Sequence, residues 1–446
     1  MTVDLGAAGR RRPLAAALLA RYRYAGAALD QVALSVFGFA LNLCLLRTLS
    51  TTDYGVVSLW MTMALLLISI QGALVGGPLS VYLPAATEPG AASRLRSAIA
   101  TMNLLSVLLT VAATGAVCLV ADAEWAAHDP LTLLAIPLFL AAGMYREYYR
   151  ATAFSRRDMA LLLGVDVPYL AVTAGALFAI VLWPQRFASA AAAFLAMSVG
   201  CVVSQLCVRA RGEGAEEGLF RRGWLRTYRA ISGEVAWSLT GVVANHVESR
   251  SYVYLATSLC GIAALAAINA VGVLFRPVSV LVQAWGQYAL PQLSAALANG
   301  RTGEFSRALA RALVGTAVAS ILLAALLLAA WPPIERFAFA GKYPDGALLL
   351  VPWAAASTAT VLRYVGSVGL MAAREFAFLA KAQALCGLIA AAATAGFILW
   401  QGYTAAMWGI ALGNAVCFGW EMLRLRGVGR RIASAGPRGG APAAPA

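Results

Sequence analysis

The chain is short of charge and of histidine. Asp, Glu, Lys and Arg make up 12% of its 446 residues, and only two histidines occur. Soluble domains carry roughly 25% charged residues, so the shortage excludes an ordinary soluble enzyme. HExxH, CxxC and GxSxG are missing, and so is any Gly-rich ATP-binding signature. Zincin, thiol-redox and serine-hydrolase chemistry and direct ATP drive therefore have no footing here. The seven cysteines all fall in or beside apolar runs and read as small core residues, neither a disulfide framework nor a metal site. A membrane enzyme acting on sugars or lipids would want carboxylates in a sizeable outer loop, and the longest one expected, 332–345, is short. No catalytic residue and no cofactor is expected.

Apolar residues are abundant instead, at 61%, with a mean hydropathy of +0.76. Apolar runs of about 20 residues recur from Val32 to the low 420s, each long enough to cross a ~30 Å hydrocarbon core. They are apolar on every face, which excludes the alternating strands of a membrane β-barrel. The expected fold class is all-α: a polytopic integral membrane protein with about 12 transmembrane helices.

The charge present sets the orientation. The formal net charge is +14, from 34 Lys and Arg against 20 Asp and Glu. These basic residues sit in short clusters between apolar runs, which points to lipid and not to nucleic acid. The N-terminal tail, every second loop and the C-terminal tail hold 27 of the 34, the positive-inside pattern. Both termini are thus expected in the cytoplasm, and the span number is even.

The boundaries follow. Residues 1–29 form a basic cytoplasmic tail whose 13–29 stretch reads as an amphipathic helix on the membrane surface. A six-span half covers 30–208, a polar Arg-rich cytoplasmic linker 209–230, a second six-span half 231–425, and a Gly/Pro/Ala-rich tail 426–446 reads as disordered. His128, Asp122, Glu124 and Asp129 belong to an outer loop and read as solvated. Aligning Gly55 with Gly261 as matching outer turns of the two halves sets Asn42 opposite Glu248; such internal duplication places a transporter's substrate between repeats.

Ionisable groups inside spans are costly and default to functional candidates. Arg276 lies deepest, in span 8, and Arg363 sits in span 10 nearer the cytoplasmic end. Asp166, in span 5, suits a coupling cation or a pairing with Arg363 or Arg156. Span 7 is the most polar. At 100° per residue, Asn245, Glu248, Ser249 and Tyr252 share one stripe, with His246 and Arg250 on another beside it. Glu248 is the stronger candidate for proton or sodium coupling, the other reading being a salt bridge.

The run Leu46-Arg47-Thr48-Leu49-Ser50-Thr51-Thr52-Asp53-Tyr54-Gly55 before an apolar span resembles the opening of the polysaccharide and O-antigen flippases. These belong to the multidrug/oligosaccharidyl-lipid/polysaccharide exporter superfamily. Tyr145–Phe154 after span 4, Arg276-Pro277, Pro291-Gln292-Leu293-Ser294 and Phe339-Ala340-Gly341-Lys342-Tyr343 are similar to further motifs of that family, in the same order. The resemblance covers roughly 30–425. It implies two six-helix lobes around a central cavity, alternating access, and passage of polyprenyl-diphosphate-linked oligosaccharide across the inner membrane. Arg276, Arg363, Arg250, His246, Asn245 and Asn42 would then be the cavity residues that meet substrate. The expected partners are the lipid-linked glycan, membrane lipids, and the glycosyltransferases and glycan polymerase of the same pathway. Cavity arginines suit a diphosphate. A cation-coupled multidrug exporter on the same fold is the competing reading, and it would want carboxylates and aromatic rings.

Overall fold

A computed structural model describes residues 8–85, 88–120, 130–211 and 218–434, and for 8–25 only the course of the backbone. His128 and its acidic neighbours lie outside the described residues, as does the tail from 435. Every long element is a helix. We number them α1 (Ala8–Thr48), α2 (Thr51–Gln71, running through a π-helical turn at Gly72–Gly76 into Gly77–Ala85), α3 (Pro89–Val120), α4 (Pro130–Arg156), α5 (Met159–Leu182) and α6 (Ala190–Ala210). The second series is α7 (Ser232–Cys260), α8a (Ile262–Val273), α8b (Arg276–Ala298), α9 (Thr302–Ala329), α10 (Gly346–Ala372), α11 (Phe376–Gln401) and α12 (Ala406–Ser434).

Eight helices are long and apolar enough to span a membrane, nine with the α8a–α8b pair. The polar helices α4, α7 and α12 have 27, 29 and 29 residues, ample for a ~30 Å crossing at 1.5 Å per residue. With them the passes reach the expected twelve. The fold is that of an all-α polytopic membrane protein.

Residues 13–29 belong to α1, which runs unbroken from Ala8 through the first span. α8b continues to Ala298, and only Asn299–Arg301 separate it from α9. Span 8 itself is broken at Leu274-Phe275 and bent by 56°. Pro277, in the first turn of α8b, lacks an N–H and cannot continue the α8a ladder, which accounts for the break.

The chain forms two compact units. One contains the chain up to Asp53 and Met63–Leu239; the other contains Tyr54–Thr62 and Thr240 onward. In the first, α4, α5 and α6 pack on one another, α1 on α5, and α3 on α4. The 209–230 segment, read as a linker, is docked onto this unit where described. Tyr228 is buried and donates its hydroxyl to the Leu74 carbonyl (2.7 Å), Ser97 Oγ donates to the Gly218 carbonyl (2.6 Å), and Ile231 joins the Val75–Leu79–Leu95–Ile99 cluster.

The second unit is built on α10 and α12. Val278, Val282, Leu293, Phe305, Leu309, Val361, Val365, Val368 and Leu425 form its core. Gly409 and Gly413, a GxxxG pair on α12, let that helix approach Thr394 and Ala390 of α11 so closely that any Cβ there would fall within 2.5 Å of them. Small residues at such spacing are how membrane helices gain contact where lipid is as apolar as leucine. Phe339 and Tyr343 of the 332–345 segment are buried, ring against ring at 5.7 Å, with Trp331 on the far side of Phe339 at 5.4 Å. That motif fastens the loop.

The Ser50-to-Gly55 motif has a local explanation too. Ser50 caps α2 by accepting from the Asp53 N–H (3.0 Å), and Asp53 accepts from the Ala190 N–H (3.2 Å) at the start of α6. Tyr54 is buried with the second unit. A Cβ on Gly55 would stand 2.5 Å from the Ile262 carbonyl oxygen, a backbone atom that cannot swing away. Gly55→Ala should therefore destabilise the protein by about 1–3 kcal/mol. Gly38→Ala, where a Cβ meets nothing within 4 Å, should not. Melting of both purified variants checks this; equal melting temperatures would contradict the packing argument.

Candidate functional site

The second unit holds a cavity of about 440 Å³ between α7, α8a, α8b, α10 and α12, within the ~300–1,000 Å³ range of small-ligand sites. Its charged lining comprises Arg250, Arg276, Arg363 and Glu248. Three arginines against one carboxylate leave two net positive charges. Asn245, Ser249, Asn269, Ser279, Gln283 and Asn414 add neutral donors and acceptors.

The helix break makes this site. By ending α8a at Val273, it puts Arg276 at the first position of α8b, exposed to the cavity, with Tyr54, Tyr252 and Arg250 within its electrostatic field. Trp353 closes one wall. Its Nε1–H donates to the Ile268 carbonyl (2.7 Å), its ring stacks on Phe275 (interplanar angle 11°), and Tyr252 meets it edge-on. The Tyr252 hydroxyl in turn donates to Asn269 Oδ1 (2.9 Å).

The arginines divide into two kinds. Arg363 lines the cavity and forms a buried ion pair with Glu248. Arg250 and Arg276 have no hydrogen-bond or ion-pair partner among the described residues. Arg250 stands at the cavity although its Cα lies on the stripe beside that of Glu248, since a long guanidinium side chain reaches around a helix face. His246, on the same stripe as Arg250, is buried elsewhere and shares a hydrogen bond with the Tyr254 hydroxyl (2.6 Å). Asn245 lines the cavity and accepts from Gln383 Nε2 (2.9 Å).

Glu421 went unnoticed in the sequence. It is buried in α12, accepts from Ser367 Oγ (2.9 Å), and lies in the field of Arg363. The rule that flagged Asp166, an acid inside an apolar run, also applies to it.

The first unit holds Asp166 and Asn42. Asp166 pairs with Arg146 and with Arg150 (3.0 Å to Nε), not with Arg156 or Arg363. Arg150 also reaches Glu147 (3.1 Å) and Asp30 (3.7 Å), and the Arg146 guanidinium lies 3.9 Å over the Tyr169 ring. Three carboxylates thus surround two arginines. A second cavity, of about 350 Å³, borders Glu147, Arg150 and the π-helical turn of α2. Asn42 donates to the Gly38 carbonyl of its own helix (2.8 Å). Among the described residues no cluster of His, Cys, Asp and Glu is placed to hold a metal ion.

No known family profile and no curated relative matches the sequence. Solved structures do. An inward-facing multidrug resistance MATE family transporter of the MOP superfamily superposes with a TM-score of 0.68 at 11% identity, covering 89% of this chain and 95% of that one. The lipid II flippase MurJ, in an inward closed conformation, gives 0.68 at 10% identity, covering 91% and 89%. An outward-facing MATE transporter gives 0.54 at 14% identity, covering 89% and 94%. Over nearly its whole length the chain therefore has the fold of the multidrug/oligosaccharidyl-lipid/polysaccharide exporter superfamily.

Proposed function

We propose that the protein is a flippase that moves polyprenyl-diphosphate-linked oligosaccharide across the inner membrane by alternating access, for polysaccharide export. Fold alone does not choose between a drug exporter and a lipid-linked glycan flippase, since the two kinds of neighbour superpose equally well. The charge of the cavity supports the flippase reading. Arg250 and Arg276 stand at the cavity without a hydrogen-bond or ion-pair partner among the described residues, and a diphosphate leaving water needs donors that replace its hydration. A cationic drug would meet net positive charge there. The three carboxylates of the first unit are the observation on the side of a cation exporter, but Arg146 and Arg150 already engage them.

Coupling is assigned to Glu248. A proton or sodium ion taken up there would release Arg363 from its ion pair, giving the cavity a third donor for the anion. Asp166, held by two arginines, is the second coupling candidate. Glycosyltransferases and a glycan polymerase would supply and consume the cargo.

Deletion of the gene in its own host tests this. Lipid-linked oligosaccharide should accumulate on the cytoplasmic leaflet while resistance to cationic drugs stays unchanged; the opposite pair of outcomes would favour the drug exporter. Cytoplasmic termini follow from the Lys/Arg asymmetry. On a cysteine-free background, an impermeant thiol reagent applied to intact cells should label a cysteine at Gly341 and spare one at Ala215. The reverse would invert the topology.

A further inference from the structure

A groove of about 460 Å³ lies between α8b and α9, at the end of both helices where the short 299–301 connection joins them. Ala289, Leu293, Ala296 and Phe305 form its floor; Trp285, Tyr288 and Gln292 line one side, and Arg307 and Arg311 the other. The two arginines are one helical turn apart on the same stripe. Each is anchored through Nε to a carbonyl one turn back, Arg307 to Gly303 (3.1 Å) and Arg311 to Arg307 (3.3 Å). Like charges at this spacing repel, and among the described residues neither arginine has an acidic partner. Glu304, the one carboxylate at the groove, is engaged by Arg301 (3.0 Å). The pair lacks a counter-ion.

The face below the arginines says what brings one. Val314, Val318, Ile321 and Leu322 are 48–64% exposed, and at 100° per residue they fall within about 60° of the Arg307–Arg311 stripe. α9 is the least buried of the eight helices that are by themselves apolar enough to span a membrane. From Arg311 to Leu322 the helix rises roughly 16 Å, and one leaflet of hydrocarbon is about 15 Å thick. A paired positive site therefore tops an apolar strip one leaflet long.

We infer that this groove binds an anionic phospholipid of the surrounding bilayer, its phosphate held by Arg307 and Arg311 and an acyl chain lying along Val314–Leu322. Tyr288, exposed at the rim, is placed to donate its hydroxyl to the same headgroup. The inference is independent of the cargo assigned above, because the groove belongs to none of the cavity-lining residues. It commits to a lipid and not to free phosphate, since the apolar strip contributes only if acyl chains come with the anion.

Native mass spectrometry of the full chain in mild detergent, titrated with phosphatidylglycerol and with phosphatidylcholine, tests it. At ~1 kcal/mol per arginine near a lipid surface, the wild type should favour phosphatidylglycerol about thirtyfold. R307Q/R311Q should bring the two lipids close to parity, while R222Q/R226Q, in the 209–230 segment, should keep the preference. Millimolar inorganic phosphate should not displace the lipid. An unchanged preference in R307Q/R311Q, an equal loss in the R222Q/R226Q control, or full displacement by inorganic phosphate would each overturn the assignment. Melting curves verify that every variant is folded.

Discussion

Arg250→Ala combined with Arg276→Ala is expected to abolish export of lipid-linked glycan, by roughly 100-fold or more per inserted molecule. Hydrogen bonds to charged groups contribute about 1.5–3 kcal/mol each, and two are removed at once from a site that must replace the hydration of a diphosphate. Because neither arginine has a hydrogen-bond or ion-pair partner among the described residues, their removal leaves no buried carboxylate stranded, and the amount of folded protein should stay near that of the wild type. Arg276→Lys should keep part of the activity, since lysine supplies charge without the planar fork of donors. The measurement is export normalised to membrane-inserted protein. Normal export per molecule in the double variant would refute the anion grip, whereas a fall in folded protein alone would make the arginines structural.

Glu248→Gln is expected to behave differently. It strands Arg363, a charge that is mostly buried, and breaking a buried pair from one side costs about 3–5 kcal/mol. The variant should melt well below the wild type or be lost from the membrane. Glu421 remains within the field of Arg363 and softens that cost. Glu248→Gln with Arg363→Gln removes both charges and should recover most of the stability, because two neutral amides carry no unpaired charge. Recovered stability with export that no longer responds to external pH or sodium would support coupling at Glu248. Normal, ion-dependent export from the stable double variant would place coupling elsewhere, with Asp166 next.

These two predictions separate what the sequence reveals from what it hides. Hydropathy and the distribution of arginine suffice for a helical membrane protein with about twelve passes, but several helices run 7–12 residues beyond their apolar runs. Arg276 is legible because an arginine deep in an apolar run has few reasons to be there. Its setting is less so. Pro277 signals a disturbance of span 8, but the 56° bend that brings Arg276 to the cavity depends on how α8a and α8b pack. Side-chain partners are hidden for a related reason. A 3.6-residue period gives the stripe on which Glu248 or Arg250 lies, but not the rotation of that stripe toward α10, so the Glu248–Arg363 pair was beyond it. Asp166 illustrates the same limit: the presence of a buried acid was readable, yet its partners, Arg146 and Arg150, sit on the preceding helix, which continues farther than its apolar pattern. The Ser50–Gly55 motif is the reverse case, a family-like string whose cap, buried ring and Cβ-free contact each have a physical reason.

The most direct test of the account is translocation by the purified protein alone. Proteoliposomes carrying a fluorescent polyprenyl-diphosphate oligosaccharide in both leaflets are treated with an impermeant quencher, and the fraction of signal lost is followed. With active protein, labelled lipid should cross during the assay and quenching should proceed past one half toward completion, while R250A/R276A liposomes stop near one half. Quenching that halts near one half with the wild-type protein as well, in vesicles that accumulate an organic cation against its gradient, would contradict the assignment and identify a drug exporter.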